Sequence, residues 1–440
     1  MPGSSRGQVA ELWRSLAPDR WPIPPEALPA GSALVGGAVR DGLLGRLANR
    51  LDLDVVVPGD AISLSRALAR RHGGSCVVLD GDRSIARVVL HGWTLDLARC
   101  MGPDLETDLG RRDYSINAMA LALSEPRDLL DPHGGLKDLE RGELRAIRET
   151  NLLEDPLRLL RGIRLACELG FAIEPQTWGW ICAHPQRLDS VAGERILAEL
   201  ERIAAAEAGE QGLARAAAAG LVPGHGIDQA WLLLSHCSAA WANRCGLSAT
   251  ERAAALPLAR LAAVLDGAAL ERLRASRRLQ QRCLALRQWR RRLIAVAGLD
   301  AGSALAARER ANNGAPAEAT GRIPSLTALP DPERLALHRQ LEADLPALLL
   351  LLEPGEAMAA LERWRDPGDP LFHPQPPLNG ARLQQELGLK PGPILGQLLD
   401  HLSSERAFAR LPRQASAAGH DEEVLTAARL WLAERGEWCG

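Results

Sequence analysis

Short apolar strands alternate with glycine-rich turns near the start of the chain. Runs of β-branched and other apolar residues bounded by turn residues indicate strands. Such runs occur at Ala33–Val35, Leu53–Val57, Ser75–Leu79, Ala86–Leu90 and Thr94–Ala98. Since all of them fall between residues 31 and 125, the pattern predicts one β-rich region in the N-terminal part of the protein.

From about residue 150 the apolar positions follow the spacing of amphipathic helices. The sequence predicts a helix over Pro156–Leu169 and another that begins near Glu194. Two stretches rich in Gly, Pro and small residues, Leu299–Pro330 and Arg365–Gly380, are typical of linkers or loops. We therefore expect an α+β protein in which a small sheet is followed by helices.

Composition supports several helical domains. A chain of 440 residues with 46% hydrophobic and 24% charged residues can bury more than one core. Its apolar residues are mostly Ala and Leu, with one Tyr and three Phe, which favours packed helices over an aromatic-rich sandwich. The net charge of −3 means that any nucleic-acid surface must be local. Arginine carries nearly all of the positive charge and suits bidentate contacts with phosphates and bases.

Cysteine usage and hydropathy bear on the cellular compartment. None of the eight cysteines falls in a CxxC pair, and most lie in apolar stretches, which predicts reduced core residues. The N-terminal segment has no apolar core of a signal peptide, and no apolar run reaches membrane-spanning length. We expect a cytoplasmic protein without membrane contact, and the sequence leaves its oligomeric state open.

The segment LDLDVVV at Leu51–Val57 contains the first candidate chemistry. Asp52 and Asp54 are two apart on a predicted strand, so both side chains point to one face. Adjacent carboxylates repel unless a cation neutralises them, and hard oxygen ligands suit Mg²⁺ bound together with phosphates. The alternative is an ordinary solvated strand end.

Two neighbouring features extend this candidate site. In LVGGAVRD a strand runs through Gly36 and Gly37 into a helix that carries Arg40, and such a turn lets backbone N–H groups approach a phosphate. The alternative is a plain turn in which Arg40 pairs with Asp41. Asp96, on a later apolar strand, is a candidate third carboxylate, with a solvent-facing strand end as the alternative.

Five motifs in this order resemble those of the class II tRNA nucleotidyltransferase and poly(A) polymerase family. The motifs are GGAVRD (36–41), DLD (52–54), RRDYSINAMA (111–120), DPHGGLKDL (131–139) and EDPLRLLRGIRLACELGF (154–171). The resemblance covers about residues 30 to 205, and a weaker match to the family's C-terminal RNA-binding region spans residues 377–399.

The resemblance implies a polymerase-β-like nucleotidyltransferase head with a small mixed sheet, followed by an all-helical neck, body and tail. It implies tRNA, CTP and ATP as partners and Mg²⁺ as the cofactor. The implied domains are a catalytic head over 1–150, a helical neck with the nucleotide-selecting motif over 151–210, an RNA-binding helical body over 211–300, a linker with a helical segment over 301–375, and an RNA-binding helical tail over 376–440.

The resemblance also implies roles for individual residues. Asp52 and Asp54 take the position of the metal-binding aspartates, and in such enzymes one metal activates the RNA 3′-hydroxyl while both hold the triphosphate. The RRD element selects ribose and touches phosphate, and the alternative for it is surface ion pairs. The implied nucleotide-binding residues are Gly36, Gly37, Arg40, Arg111, Arg112, Asp113, Asn117, Asp155, Arg158, Arg161 and Arg164.

The EDxxR element indicates which bases are accepted. Asp155 can accept a hydrogen bond from an exocyclic amino group while Arg158 donates to the adjacent ring nitrogen. Cytosine and adenine present that edge, whereas uracil and guanine present a carbonyl beside a ring N–H. The alternative is that Asp155, followed by Pro156, only caps a helix. For Arg164 the alternative is a solvated basic face.

The richest basic segment of the chain is ERLRASRRLQQRCLALRQWRRRL at residues 271–293. It predicts an RNA-facing helix, although its arginines point around much of the helix. The KPGPILG turn at Lys390–Gly396 is a second candidate for phosphate contact, or a simple connection between helices. The predicted RNA-binding residues are Arg277, Arg278, Arg290, Arg291 and Lys390.

One departure from the family limits the predicted reaction. Only residues 100–110 separate Arg99 from Arg111, whereas enzymes that complete the whole CCA end generally carry a longer loop there. The short segment resembles the CC-adding subgroup. We expect addition of CMP and AMP to tRNA 3′ ends, with a CC-only or A-only enzyme, a poly(A) polymerase and a non-catalytic RNA-binding protein as alternatives.

Overall fold

A computed structural model describes residues 6–48, 51–223, 234–298, 324–411 and 418–435. Contacts within the chain divide it into two units, Met1–Val191 and Ala192–Gly440. This division falls inside the predicted neck of residues 151–210. The finer division into five domains stays a prediction.

The first unit contains the sheet and the helices around it. All five predicted strands are present, with ends that differ by at most one residue. The helices are α1 Arg6–Leu16, α2 Gly37–Leu43, α3 Ala61–His72, α4 Leu105–Leu109, α5 Gly135–Arg141, α6 Glu149–Glu154, α7 Leu157–Leu169 and α8 Pro175–Ala183. The strands are β1 Ala33–Val35, β2 Asp52–Val57, β3 Ser75–Asp80, β4 Ile85–Leu90, β5 Trp93–Arg99, β6 Ala120–Ala122, β7 Leu129–Leu130, β8 Glu143–Leu144 and β9 Ala172–Ile173.

The seven-stranded sheet has the order β3-β4-β5-β2-β1-β6-β7. Strands β2 and β5 pair in parallel, and the other neighbours pair antiparallel, so the predicted mixed sheet is confirmed. Four short strands were not predicted: β6, of three residues, and β7, β8 and β9, of two residues each, which lie beyond residue 125. Strands this short leave little alternating pattern in the sequence.

The two faces of the sheet differ in polarity. Helix α3 contacts β3, β4 and β5 and covers one face. Along β4, buried Ala86, Val88 and Leu90 alternate with exposed Arg87 and Val89. Since successive side chains of a strand point to opposite faces, Arg87 and Val89 lie on the face that α3 does not cover.

Helix α7 is fixed to the RRD motif by the only tyrosine of the chain. The Tyr114 side chain is fully buried, and its hydroxyl donates to the backbone carbonyl of Arg158 at 2.8 Å. Gly162, one turn further along α7, leaves the space that the Tyr114 ring occupies. The predicted helix over Pro156–Leu169 is confirmed, with its first residue at Leu157.

The second unit is helical throughout its described residues. The helix predicted near Glu194 is present and begins at Gly193. The helices are α9 Gly193–Ala205, α10 Gly209–Ala218, α11 Ala239–Arg244, α12 Ala249–Val264, α13 Gly267–Arg272, α14 Arg277–Val296, α15 Asp331–Leu341, α16 Leu345–Leu349, α17 Pro354–Arg365, α18 Gly380–Leu387, α19 Pro393–Ala407 and α20 Ala418–Ala433.

A buried arginine organises the helices around α12. The Arg260 guanidinium donates to the backbone carbonyls of Cys237, Ala204 and Ala206, and it pairs with Glu210 at 2.6 Å. Carbonyls at helix ends lack partners within their own helix, so this side chain satisfies groups that would otherwise be buried without hydrogen bonds.

The remaining sequence predictions concern loops, cysteines and membrane spans. The break at Arg365–Gly380 is present between α17 and α18, whereas residues 299–323 of the other predicted linker lie outside the described residues. Seven cysteines are free thiols, and Cys439 lies outside the described residues. Across the described ranges, none of the helices is both long enough and apolar enough to cross a membrane.

We expect Gly162→Ala to destabilise the first unit by about 1–3 kcal/mol, because an added Cβ would overlap with the Tyr114 hydroxyl and force the helix or the ring to move. The matched control is Gly179→Ala in α8, where a Cβ meets open space and the loss of a helical glycine should be stabilising. Thermal unfolding followed by calorimetry measures both. Equal unfolding temperatures of the two variants would contradict the packing role of Gly162.

Candidate active site

Two aspartates on β2 and a third on its parallel neighbour β5 lie side by side. Asp52 and Asp54 alternate with buried residues, so both carboxylates are on the face that α3 leaves uncovered. The register of β2 with β5 places Asp54 opposite Asp96 and Asp52 opposite Thr94. The structure therefore brings together the three carboxylates that the sequence singled out.

The carboxylate of Asp54 ionises less readily than an ordinary aspartate. Burial is the main reason that its pKa is raised to about 6; Arg112 opposes this effect, and Asp96 and Asp52 add to it. A divalent cation held by Asp52 and Asp54 would favour the ionised carboxylates, and carboxylate oxygens are ligands that Mg²⁺ prefers. The side chains present therefore fit a metal site of this kind.

Asp96 is held by an arginine that the sequence analysis did not single out. Arg87 donates from Nε and Nη2 to the two Asp96 oxygens, at 2.8 Å each. Asp52 accepts a hydrogen bond from the Thr94 hydroxyl at 2.6 Å. Asp96 thus lies within β5 between Asp54 and Arg87, and not at a solvated strand end. Among the described residues, no three acidic, histidine or cysteine side chains form a ready-made metal cluster.

The glycine turn places backbone directly against the carboxylates. Gly36 has φ +74°, a conformation that side chains other than glycine rarely adopt. A Cβ at this position would lie 3.3 Å from Asp54 Oδ2 and 3.6 Å from Arg112 Nη1. Glycine at this position therefore suits the positive φ and keeps the turn from pressing on the Asp54 carboxylate, whereas the distance to Arg112 is an ordinary van der Waals contact.

Arg40 connects this turn to the RRD motif. Its guanidinium donates to both oxygens of Asp41, at 2.8 and 2.9 Å, and this is the pairing considered as the alternative from sequence. Its Nη1 also donates to Asn117 Oδ1 at 2.7 Å. The Arg40 side chain is thus fixed by contacts within the protein, and it orders Asn117.

Asp113 is buried and joins several parts of the site through hydrogen bonds. Its carboxylate accepts hydrogen bonds from the Tyr114 backbone N–H, from Asn117 Nδ2 and from Arg161 Nη1. Burial acts to raise its pKa, but Arg161 and Arg158 with these hydrogen bonds hold the pKa below its ordinary value. The alternative of a surface ion pair is therefore wrong for Asp113.

The two arginines of the RRD motif differ in exposure. Arg112 is partly buried and pairs with Asp108 at 3.6 Å, and its positive charge lowers the pKa of Asp54. Arg111 has an exposed side chain. Asn151 holds their backbone, since its amide nitrogen donates to the carbonyls of Gly110 and Arg112 at 2.9 and 2.7 Å.

The EDxxR element lies against the same backbone. Arg158 Nη1 donates to the carbonyls of Arg111 and Asn151 at 3.0 and 2.8 Å. Its Nε is buried and has no hydrogen-bond partner among the described residues. Pro156, not Asp155, occupies the N-cap position of α7, so the predicted N-cap is shifted by one residue. The Arg158 guanidinium is therefore held at one nitrogen, with a further donor buried beside it.

The other two arginines of α7 have internal partners. Arg161 pairs with Asp113 at 3.2 Å. Arg164 pairs with Glu168, one turn along the helix, at 3.1 Å and is largely buried. The alternative of a solvated basic face therefore does not describe Arg164.

Three residues at this site were missed from the sequence. Arg87 alternates with buried residues on β4, Tyr114 is the only tyrosine, and Asn151 precedes the EDxxR motif by a few residues. The alternation could have placed Arg87 on the face of the aspartates. Nothing in the local sequence indicates that Asn151 reaches the carbonyls of the RRD segment, because this contact joins residues about forty positions apart.

In the second unit the structure corrects one predicted RNA contact. Arg290 is only 3% exposed, and its guanidinium donates to the carbonyls of Ala259 and Ala347 inside the helical core. It cannot be part of an RNA-facing surface. Helix α14 is long and amphipathic, and the position of Arg290 falls on its buried face.

The other predicted RNA-binding residues are on the surface. Arg277, Arg278, Arg291 and Lys390 all have exposed side chains. Several further arginines of the basic segment pair with acids instead, among them Arg282 with Asp344 and Arg292 with Glu333.

Comparison with known proteins agrees with the motifs. Residues 97–145 match the family model described as the poly A polymerase head domain, and residues 170–224 match one described as a probable RNA and SrmB-binding site of polymerase A. A CC-adding tRNA nucleotidyltransferase from Synechocystis sp. is 31% identical over 429 residues, which cover 94% of this chain and 98% of that protein. An A-adding tRNA nucleotidyltransferase from Deinococcus radiodurans is 46% identical over 158 residues, 36% of this chain and 35% of that protein.

Solved structures share the fold. The Thermotoga maritima CCA-adding enzyme complexed with tRNA has a TM-score of 0.64 at 22% identity, covering 90% of this chain and 91% of that one. The Bacillus stearothermophilus CCA-adding enzyme in complex with CTP has a TM-score of 0.62 at 21% identity, covering 93% and 95%. With the near full-length relative, these matches show that the chain belongs to the tRNA nucleotidyltransferase and poly(A) polymerase family.

Proposed function

We propose that this protein adds nucleotides from CTP or ATP to the 3′ end of tRNA without a template. The observation that carries the proposal is the cluster of Asp52, Asp54 and Asp96 on one face of the sheet, next to the Gly36 turn. The relatives named above are tRNA nucleotidyltransferases, which is consistent with this chemistry.

The proposed reaction is attack of the RNA 3′-hydroxyl on the α-phosphorus of the nucleotide, with pyrophosphate as the leaving group. Asp52 and Asp54 would hold divalent cations such as Mg²⁺, which polarise phosphate oxygens and lower the pKa of a bound hydroxyl. Arg112 lies close enough to Asp54 to neutralise negative charge at the triphosphate. Gly36 keeps the approach to these groups open.

Selection of the base is assigned to Asp155 and Arg158. A carboxylate that accepts from an amino group and a guanidinium that donates to a ring nitrogen fit cytosine and adenine, and they leave uracil and guanine mismatched. The contacts of Arg158 Nη1 with two backbone carbonyls support this assignment, since they fix the guanidinium while its Nε is buried beside them. Asp113, Asn117 and Arg161 would act as positioning residues around it.

Two observations favour the CC-adding form of the reaction. A relative that matches nearly the whole chain is a CC-adding enzyme. In addition, residues 100–110 form only a short connection containing α4, in which the Asp108 side chain accepts from the Met101 N–H, and Leu109 packs in a hydrophobic cluster with Val56. Such a short, packed segment differs from the longer loop expected of enzymes that complete the CCA end.

Incorporation of labelled CTP and ATP onto tRNA transcripts that end before CCA, after C and after CC tests the proposal. We expect two C residues and no A on the shortest transcript, and no incorporation of UTP or GTP. Addition of CC followed by A would establish a full CCA enzyme, A on the CC-ended transcript alone an A-adding enzyme, and long A tails a poly(A) polymerase. No incorporation on any transcript would favour an RNA-binding protein without catalysis.

The double variant Asp52→Ala, Asp54→Ala should bind tRNA with nearly unchanged affinity but transfer no nucleotide, because it lacks the carboxylates that hold the cations. The matched control is Asp82→Ala, which removes an exposed acid from the turn between β3 and β4. Binding is measured by fluorescence anisotropy and transfer by gel assay. Measurable transfer by the double variant would contradict the assignment of Asp52 and Asp54 as metal ligands.

Gly36→Ala should lower the rate of nucleotide transfer by roughly tenfold to hundredfold, since a misplaced reacting group costs about this much. The added Cβ would press on Asp54 Oδ2, at 3.3 Å, and would be in ordinary contact with Arg112. Gly59→Ala is the control: Gly59 also has positive φ, +88°, but a Cβ there meets nothing within 4 Å. If both variants lose activity equally, backbone strain and not the contact with Asp54 explains the loss.

A further inference from the structure

Two exposed valines share a face of the sheet with the catalytic carboxylates. Val77, on edge strand β3, is 51% exposed, and Val89, on β4, is 36% exposed. Strand registers connect each valine to an aspartate. One row runs Val77, Arg87, Asp96, Asp54, and the next runs Ser75, Val89, Thr94, Asp52.

The position of the nucleotide-binding motifs leaves this side of the sheet to the other substrate. The GGAVRD turn follows β1, and Gly36 lies beside Asp54 and Arg112. The RRD and EDxxR elements are connected to it through Arg40, Asn117 and Asp113. Strand β1 adjoins β2 on one side, whereas β5, β4 and β3 adjoin it on the other. A reaction at the carboxylates needs a second substrate, and the uncovered face of β5, β4 and β3 is where it can approach.

The side chains on this face change in character with distance from the carboxylates. Asp96 comes first, and Arg87 follows with a guanidinium that is nearly half exposed although it pairs with Asp96. Val89 lies on β4 like Arg87, roughly 10 Å from β2 at ordinary strand spacing, and Val77 lies on β3, roughly 15 Å from β2. An RNA strand needs a cation for its phosphates and an apolar surface for its bases, and this face offers both beyond Asp96.

We propose that Arg87, Val77 and Val89, the acceptor strip, receive the last nucleotides of the RNA 3′ end. This inference rests on the proposed function and extends it to a surface for the acceptor strand. Arg87 contacts a backbone phosphate near the terminal nucleotide, and the two valines pack against the bases of the last nucleotides. These are positioning residues, since they touch the acceptor away from the reacting atoms.

The same surface is poorly suited to a protein partner. The register between β3 and β4 shifts between Val78 and Asp80, which interrupts the regular edge that another strand would need. The exposed apolar side chains of β3 and β4 are only four, Val77, Val78, Leu79 and Val89, whereas a stable protein interface involves about 20–30 residues and buries roughly 800 Å² per partner. Continuity with the carboxylates favours the RNA substrate.

Val77→Glu and Val89→Glu test the inference, with Val78→Glu as the matched control. Val78 is the next residue on the same strand and is 41% exposed, but it pairs with Ala86 and so faces the opposite side of the sheet. Steady-state kinetics on a tRNA lacking CCA give KM for the acceptor, KM for CTP and kcat. We expect each strip variant to raise KM for the acceptor roughly tenfold, which corresponds to loss of one modest contact. KM for CTP should not change, and Val78→Glu should behave as the wild type.

Each other outcome has a distinct meaning. If the wild-type protein incorporates no nucleotide, the proposed function fails. If the wild type is active but Val77→Glu and Val78→Glu give the same KM for the acceptor, the acceptor strip is wrong. A raised KM for CTP would show that the acceptor strip contacts the nucleotide and not the RNA, and it would also overturn the inference. Light scattering of the wild type and Val77→Glu adds a further test, because a change from dimer to monomer would identify the surface as a protein interface.

Discussion

Burial of the Asp54 carboxylate beside two other carboxylates is the constraint on which the site of the first unit depends. The parallel pairing of β2 with β5 fixes Asp54 beside Asp96, and burial is the main reason that the pKa of Asp54 is raised, with Asp96 and Asp52 adding to it. The protein places a guanidinium on either side, Arg112 toward the RRD motif and Arg87 toward β4. Because these cations leave the pKa of Asp54 raised, the cluster retains a demand for positive charge that fits divalent cations and a triphosphate.

A second set of contacts fixes the helices of the first unit relative to the sheet. Asp113 is bound by Asn117 and Arg161, and Asn117 is bound in turn by Arg40 of the glycine turn. Tyr114 joins the same segment to the backbone of α7. Motifs far apart in the chain are thus fixed relative to one another by buried hydrogen bonds, which suits a site where small displacements are costly. Charged residues of the RRD and EDxxR motifs serve largely as internal supports.

The sequence predicted five of the seven strands of the sheet and the helix of the EDxxR motif closely, because these apolar runs are bounded by turn residues and most of them are long enough to show their period. It also predicted that Asp52 and Asp54 share a face, and its candidate third carboxylate, Asp96, lies opposite Asp54 in the register of β2 with β5. It did not reveal that Arg290 is buried, since an arginine-rich helix gives no sign of which arginine donates to carbonyls of neighbouring helices. Nor did it show Asn151 beneath the RRD segment, because contacts across distant positions depend on the tertiary fold.

The strand order separates the nucleotide-binding motifs from Arg87, on opposite sides of the carboxylates. Every motif assigned to the nucleotide lies on the β1 side of the carboxylates or is bonded to that side, while Asp96 and Arg87 lie on the other. In the proposed reaction, two substrates that must meet in line would have separate approaches, and neither would need to displace the other. The short segment 100–110 packs against Val56 on the same face, just beyond Asp54 along β2. In the proposed CC-adding reaction, this short segment would limit how far this edge of the site rearranges as the RNA grows, and an enzyme that adds one kind of nucleotide would need less rearrangement than one that changes from C to A.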